Sequence, residues 1–162
     1  MKRLLVIATA LLSTAPTAAR AQEYLLGADA TASSGIEGGG TGFFRTRTRL
    51  QIGADLRVDE WPDDVMEVGL LAEVEPRSGF GGYLHYGRVL DKHIVVTAGV
   101  LAILAPASLY GACAGLTYRL PLSKHVQVVL GPELDFYFLG SDLPDGTVIW
   151  QVRVQGGFRV DL

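Results

Sequence analysis

Between positions 44 and 59 the chain alternates without interruption. Phe44, Thr46, Thr48, Leu50, Ile52, Ala54, Leu56 and Val58 occupy the even positions, and Arg45, Arg47, Arg49, Gln51, Gly53, Asp55, Arg57 and Asp59 the odd ones. A helix would scatter both sets around its circumference, whereas a strand sends successive side chains to opposite faces and separates them. A strand with one ionic face cannot lie in a parallel sheet covered on both sides.

The same period of two recurs along the rest of the chain, broken by Gly, Pro, Asp and Ser clusters at hairpin intervals. It predicts eight strands, at 24–32, 44–59, 66–75, 80–90, 94–104, 109–120, 125–139 and 147–162. Residues 33–41, with Gly38-Gly39-Gly40, read as a loop; the run lacks the Lys and the helix of a phosphate-binding loop. Residues 60–64 read as a turn. The strand at 94–104 alternates weakly, and its faces are left unassigned. Pro132 lies inside the seventh strand, and because a closed barrel has no free edge, a bulge is expected at Gly131-Pro132.

The start of the chain has another character. Met1, Lys2 and Arg3 precede an apolar run from Leu4 to Leu12, and Ala19-Arg20-Ala21 places small residues at a cleavage position. This is the pattern of a secretory signal peptide over 1–21, leaving a single mature domain over 22–162. Without Lys2, Arg3 and Arg20 the mature part keeps 11 Lys and Arg against 17 Asp and Glu, a net charge of -6 that argues against nucleic acid. Cys113 is the only cysteine, which rules out an internal disulfide and a thiolate zinc site. No cofactor or metal motif is evident. The longest apolar run, 94–108, is interrupted by Thr97, Gly99 and Pro106 and is no transmembrane helix. In a membrane the chain would have to cross as a closed barrel, the other way to satisfy every backbone polar group in hydrocarbon. The expected fold is therefore all-β: a closed, antiparallel, up-and-down transmembrane β-barrel of eight strands.

The apolar face could point outward to lipid or inward around a ligand, as in a periplasmic lipocalin-like binder. Aromatics near both ends of that face favour lipid. Tyr110 and Tyr118 on one strand, and Trp150 and Phe158 on another, are eight residues apart, or roughly 19 Å of height on tilted strands. Tyr24, Phe44, Tyr86, Phe136 and Phe138 complete the expected interfacial set. The ionic face mixes signs. Arg45, Arg47, Arg49, Arg57, Arg119, Arg153 and Arg159 are set against Asp29, Asp55, Glu67, Glu73, Glu75, Glu133 and Asp135, with His85 among them. Unpaired charges in a narrow interior are costly, so an ion-pair network is expected. If the 60–65 turn pairs Arg57 with Glu67, Arg49 falls opposite Glu75, and the last hairpin brings Glu133 to Arg153.

The alternation up to Phe158, Val160 and Leu162 resembles the terminal strand by which outer-membrane barrels are recognised for assembly, with Leu where Phe is more usual. With the leader and the strand count, the chain resembles the small OmpA and OmpX type barrels of the Gram-negative outer membrane. That resemblance implies an outer-membrane location, outer-membrane lipids and the assembly machinery as partners, a monomer, and a structural or envelope-interaction role. An eight-stranded interior is just wide enough for side chains to fill, so a plugged lumen is expected, with a narrow porin-like pore as an alternative. Some small barrels modify lipid A. His85 and His125 are the candidates for that chemistry, but neither has a Ser and a carboxylate at a matching offset, so no catalytic residue is assigned. Arg45 and Arg47, near the rim, have the chemistry to meet lipopolysaccharide phosphates or to pair internally.

Overall fold

The computed structural model describes residues 24–162 apart from 41, 59, 76, 142 and 144–145. The leader expected over 1–21 lies outside the described residues, as does the side chain of Tyr24. Eight strands follow in order: β1 (Tyr24–Gly39), β2 (Phe44–Val58), β3 (Trp61–Glu75), β4 (Gly79–Asp91), β5 (Ile94–Ala105), β6 (Leu109–Pro121), β7 (Val126–Gly140) and β8 (Ile149–Asp161). Each pairs antiparallel with its neighbours in sequence, and β8 closes on β1. The expected fold class, a closed eight-stranded antiparallel barrel, is the observed one.

The register fixes the barrel's dimensions. Following paired residues around the wall from Ala28 leads through Ala54, Val68, Leu84, Val100, Ala112, Phe136 and Trp150 back to β1 at Gly38, ten residues further along. Eight strands with that stagger give a tilt of about 40° and a backbone radius of about 8 Å. Arg side chains on opposite walls therefore reach the same axial space.

Odd-numbered residues face this axis and even-numbered residues face out. Arg49, Asp55, Glu73, Asp135, Arg153 and Arg159 are buried, while Leu50, Val68, Val100, Leu116, Leu130 and Val154 are exposed. The strand with unassigned faces obeys the same parity: Val95, Leu101 and Ile103 point in, Val96, Val100 and Leu104 out. Leu101 and Ile103 join Leu71, Leu109, Cys113, Tyr83, Tyr137 and Ile149 in an apolar cluster inside the barrel, flanked by Phe43 and Leu143.

Several expected boundaries and pairings are corrected. β1 runs on to Gly39 through the expected loop, because Ser33, Gly35 and Glu37 continue the inward set and both β2 and β8 supply partners. Gly35 is required there, since a Cβ would meet the Val152 carbonyl and the Arg153 Cα. Residues 61–64 are strand and not turn, which tightens the β2–β3 hairpin and shifts its register by two. Asp55 faces Glu67 and Arg49 faces Glu73, in place of the expected Arg57–Glu67 and Arg49–Glu75 pairs. The Glu133–Arg153 pair is as expected. No bulge occurs at Gly131-Pro132. The register to β8 is continuous through Pro132↔Val154, and the ladder to β6 merely lapses between Gly115↔Glu133 and Tyr118↔Leu130. Proline's missing donor costs ladder steps but inserts no residue; the irregularity of that hairpin lies at Tyr110/Gly111.

Candidate functional site

The chemistry of this chain is concentrated inside the barrel, in two ion-pair groups separated by a small chamber. Toward the end that carries the β1–β2, β3–β4, β5–β6 and β7–β8 connections, Glu37 accepts from Arg45 Nε and Arg47 Nε at 2.5 Å each, and from Gln151 Nε2 at 2.7 Å. Arg47 also pairs with Glu73 at 2.8 Å. Arg49 reaches Glu73 at 2.8 Å on its own side and crosses the lumen to Asp135 at 3.0 Å and the Tyr137 hydroxyl at 2.6 Å. Arg153 meets Asp135 at 2.7 Å and Glu133 at 3.1 Å, and donates to Gln151 Oε1. These contacts join β1, β2, β3, β7 and β8 across the lumen.

The second group lies toward the end that holds the β2–β3, β4–β5 and β6–β7 turns. Arg159 binds Asp55 through Nε and Nη2, both at 2.8 Å, and is also paired to Asp161. The two parallel bonds to Asp55 exploit the planar guanidinium fork. Gln127 donates to Asp161 at 2.9 Å, and Arg57 stands 3.9 Å from Asp55. This group explains how Asp55 and Glu67 can face each other across β2 and β3: Arg159, from β8, neutralises Asp55.

Between the groups is a chamber of about 40 Å³, lined among others by Asp29, Gln51, Glu67, Tyr83, Thr117 and Arg119. It has room for about three water molecules. His85 and Cys113 are also on its wall, with His85 stacked on Tyr83 at a ring separation of 4.5 Å. Gly53 leaves the space into which the Tyr83 hydroxyl, Asp29 and Glu67 converge.

Of the fifteen residues expected on the ionic face, the structure brings Arg45, Arg47, Arg49, Glu73, Glu133, Asp135 and Arg153 into the first group and Asp55, Arg57 and Arg159 into the second, and it sets Asp29 on the chamber wall. Glu67, His85 and Arg119 line the chamber, together with Glu133. Glu75 is corrected: it is exposed at the strand end, where an irregularity between Thr48 and Arg49 sets it opposite Thr48 and away from the axis. Glu37, fully buried, was missed because residues 33–41 read as loop, although its odd position continues the Asp29, Thr31, Ser33 series. Gln151 and Tyr137 stand at odd positions and so share the inward face, but their cross-lumen role is not legible from any one hairpin. His125 is exposed beside a turn, where its backbone N–H donates to the Ser123 hydroxyl. Among the described residues no group of three or more His, Cys, Asp or Glu could hold a metal ion.

On the outer face Phe44, Tyr86, Tyr110, Tyr118, Phe136, Phe138 and Phe158 are exposed, and Trp150 packs edge-on against Phe44 with ring centroids 5.7 Å apart. Trp61 and Phe80 join this exposed set without having been singled out by the alternation. With the tilt derived above, Tyr110 and Trp150 stand about 20 Å above Tyr118 and Phe158 along the barrel axis, which matches the apolar band of an outer-membrane barrel with its flanking aromatic girdles.

No protein-family model and no curated protein matches the chain in sequence. Solved structures do match in fold. The chain is similar to Neisserial surface protein A, with a TM-score of 0.53 and 12% identity over 88% of this chain and 100% of that one. It is similar to outer membrane protein AlkL, determined in lipid bilayers, with a TM-score of 0.53 and 10% identity over 93% of this chain and 95% of that one. The chain therefore has the fold of the small eight-stranded outer-membrane β-barrels.

Proposed function

We propose that the protein is a monomeric, non-enzymatic barrel of the outer membrane, exported by its leader, with a structural or envelope-interaction role and a lumen closed by its own ion pairs. The short turns and both strand termini would face the periplasm and the other connections the exterior, as in barrels of this kind. One observation carries the reading: Arg49, about 1% exposed, is held by Glu73 on the next strand and by Asp135 across the narrow interior, where Arg153, also about 1% exposed, meets the same Asp135. A conducting column of water would have to displace these pairs, each buried and charge-assisted.

Planar-bilayer recordings of the refolded protein test the plug. The expected result is no steady conductance, and steady large channels would refute it. Fractionation tests the membrane assignment: a β-rich band that needs detergent and migrates differently when unheated supports it, while a mature chain soluble without detergent would favour a lipocalin-like binder. The reading against lipid A modification rests on His85 facing the lumen, away from lipid, and is tested by lipid A mass analysis with and without the protein. At the outer rim Arg45, whose side chain is 39% exposed while paired to Glu37, is the group proposed to meet lipopolysaccharide phosphates.

A further inference from the structure

From position 26 onward the even-numbered strand residues make the outward face, and among them only two are charged, Asp64 on β3 and Arg88 on β4. They are direct cross-strand partners, so their Cβ atoms are about 5 Å apart. No close ion pair joins them. Asp64 accepts from the Tyr86 hydroxyl at 2.8 Å, Arg88 is exposed, and among the described residues no ion pair uses it. On the tilted wall the two lie about 2–6 Å beyond the Tyr118 and Phe158 girdle, on the turn side. At the same level the neighbouring strands present Val96, Leu120, Val128 and Val160. This pair of opposite charges sits on an otherwise apolar wall at headgroup depth, where a lipid-facing charge is tolerated and the charged groups of lipid headgroups are its neighbours.

We infer that Asp64, Tyr86 and Arg88 form a docking site for one zwitterionic phospholipid carrying a primary amine, that is, a phosphoethanolamine headgroup in the leaflet at the turn end. The Arg88 guanidinium offers a planar fork to the phosphate. The free lone pairs of Asp64 accept from the ammonium, and Tyr86 holds the carboxylate toward the lipid. Leu84 and Met66, both exposed beside them, give the acyl chains an apolar track. A lipopolysaccharide occupant is excluded by depth, since the site is at the end opposite to the longer connections.

The inference rests on the membrane reading above, and its test is separate from that reading. The full protein, refolded in detergent, is offered equimolar phosphatidylethanolamine, phosphatidylcholine and phosphatidylglycerol of one chain composition, and retained lipid is counted by native mass spectrometry. The wild type is expected to retain one phosphatidylethanolamine preferentially. Arg88→Gln and Asp64→Asn are each expected to lower that retention about fivefold, while Val96→Thr, at the same depth on β5, leaves it unchanged. The gel shift of unheated samples establishes that each variant folds. Equal retention of the three lipids overturns the site. So does a phosphatidylglycerol preference that Arg88→Gln abolishes and Asp64→Asn leaves intact, because it would mark a simple anion site. Either outcome leaves the barrel in the membrane, whereas solubility without detergent would sink both readings.

Discussion

Replacing Arg49 by Met keeps an unbranched apolar stem, shorter than the arginine, and removes the guanidinium charge. Arg49 is 1% exposed and bridges Glu73 on its own side to Asp135 and Tyr137 on the opposite wall. Without it Glu73 retains Arg47 and Asp135 retains Arg153, but the group is left with one buried carboxylate charge in excess. Breaking a buried pair by deleting one partner costs about 3–5 kcal/mol. With a urea dependence of about 2 kcal/mol per molar, the unfolding midpoint should fall by about 2 M. Arg45→Met is the matched comparison. Its side chain is 39% exposed and its partner Glu37 keeps Arg47 and Gln151, so solvent screening limits the loss to under about 1 kcal/mol. The assay is urea titration of the barrel in lipid vesicles, followed by the fluorescence of Trp61 and Trp150. A midpoint for Arg49→Met within about 0.5 M of wild type, or no lower than that of Arg45→Met, would show that Arg47 and Arg153 take over its partners and that the cross-lumen argument is wrong.

Two further outcomes test the interior and the exterior separately. A Cβ at Gly53 would overlap the Tyr83 hydroxyl and sit 3.1 Å from both Asp29 Oδ1 and Glu67 Oε1, so Gly53→Ala should destabilise by about 1–3 kcal/mol in the same titration. Adding Tyr83→Phe should recover part of the loss, and no recovery would show that the crowding comes from the carboxylates. On the lipid face, Val100→Arg lies midway between the aromatic girdles and should cost about 2–4 kcal/mol, against about 0–1 for Leu120→Arg near the turn-side rim. Equal, small effects at both sites would mean that water, not hydrocarbon, covers the wall.

How far the sequence reveals this molecule depends on whether a feature is local. Alternation is local, so the strands around Leu50, Leu116, Val128 and Val154, and the inward Arg49 and Arg153, are readable from period two alone. The weak strand over 94–104 is ambiguous because its inward residues are also apolar: Val95, Leu101 and Ile103 are buried, the last two in one cluster with Leu109 and Ile149, so no contrast in polarity separates its faces. Glu37 was hidden by the glycines around it. Three successive glycines suggest flexibility, yet here β1 continues with ladder partners on both sides as far as Gly38, and with β8 as far as Gly39. The hairpin register at β2–β3 was misjudged for a different reason. Matching Arg57 to Glu67 assumes that charges are satisfied within a hairpin, and in a barrel about 8 Å in radius long side chains from strands that are not neighbours also meet near the axis.

That geometry also bears on how the barrel holds itself closed. The β2–β3 hairpin taken alone sets Asp55 against Glu67, a like-charge pair that disfavours the register it adopts. The compensating charge comes from Arg159 on β8, which reaches Asp55 across the turn-end half of the interior only when β8 stands beside β1. In the loop-end half Arg49 of β2 finds Asp135 of β7 under the same condition. The inward charges therefore oppose partial structures and reward closure of the β1–β8 seam. Hydrophobic matching to lipid does not distinguish a closed barrel from an open, curled sheet in this way, because it acts on each strand's outward face separately. The ionic interior, costly in any incomplete sheet, is what makes the closed eight-stranded arrangement the one in which these inward charges meet their partners.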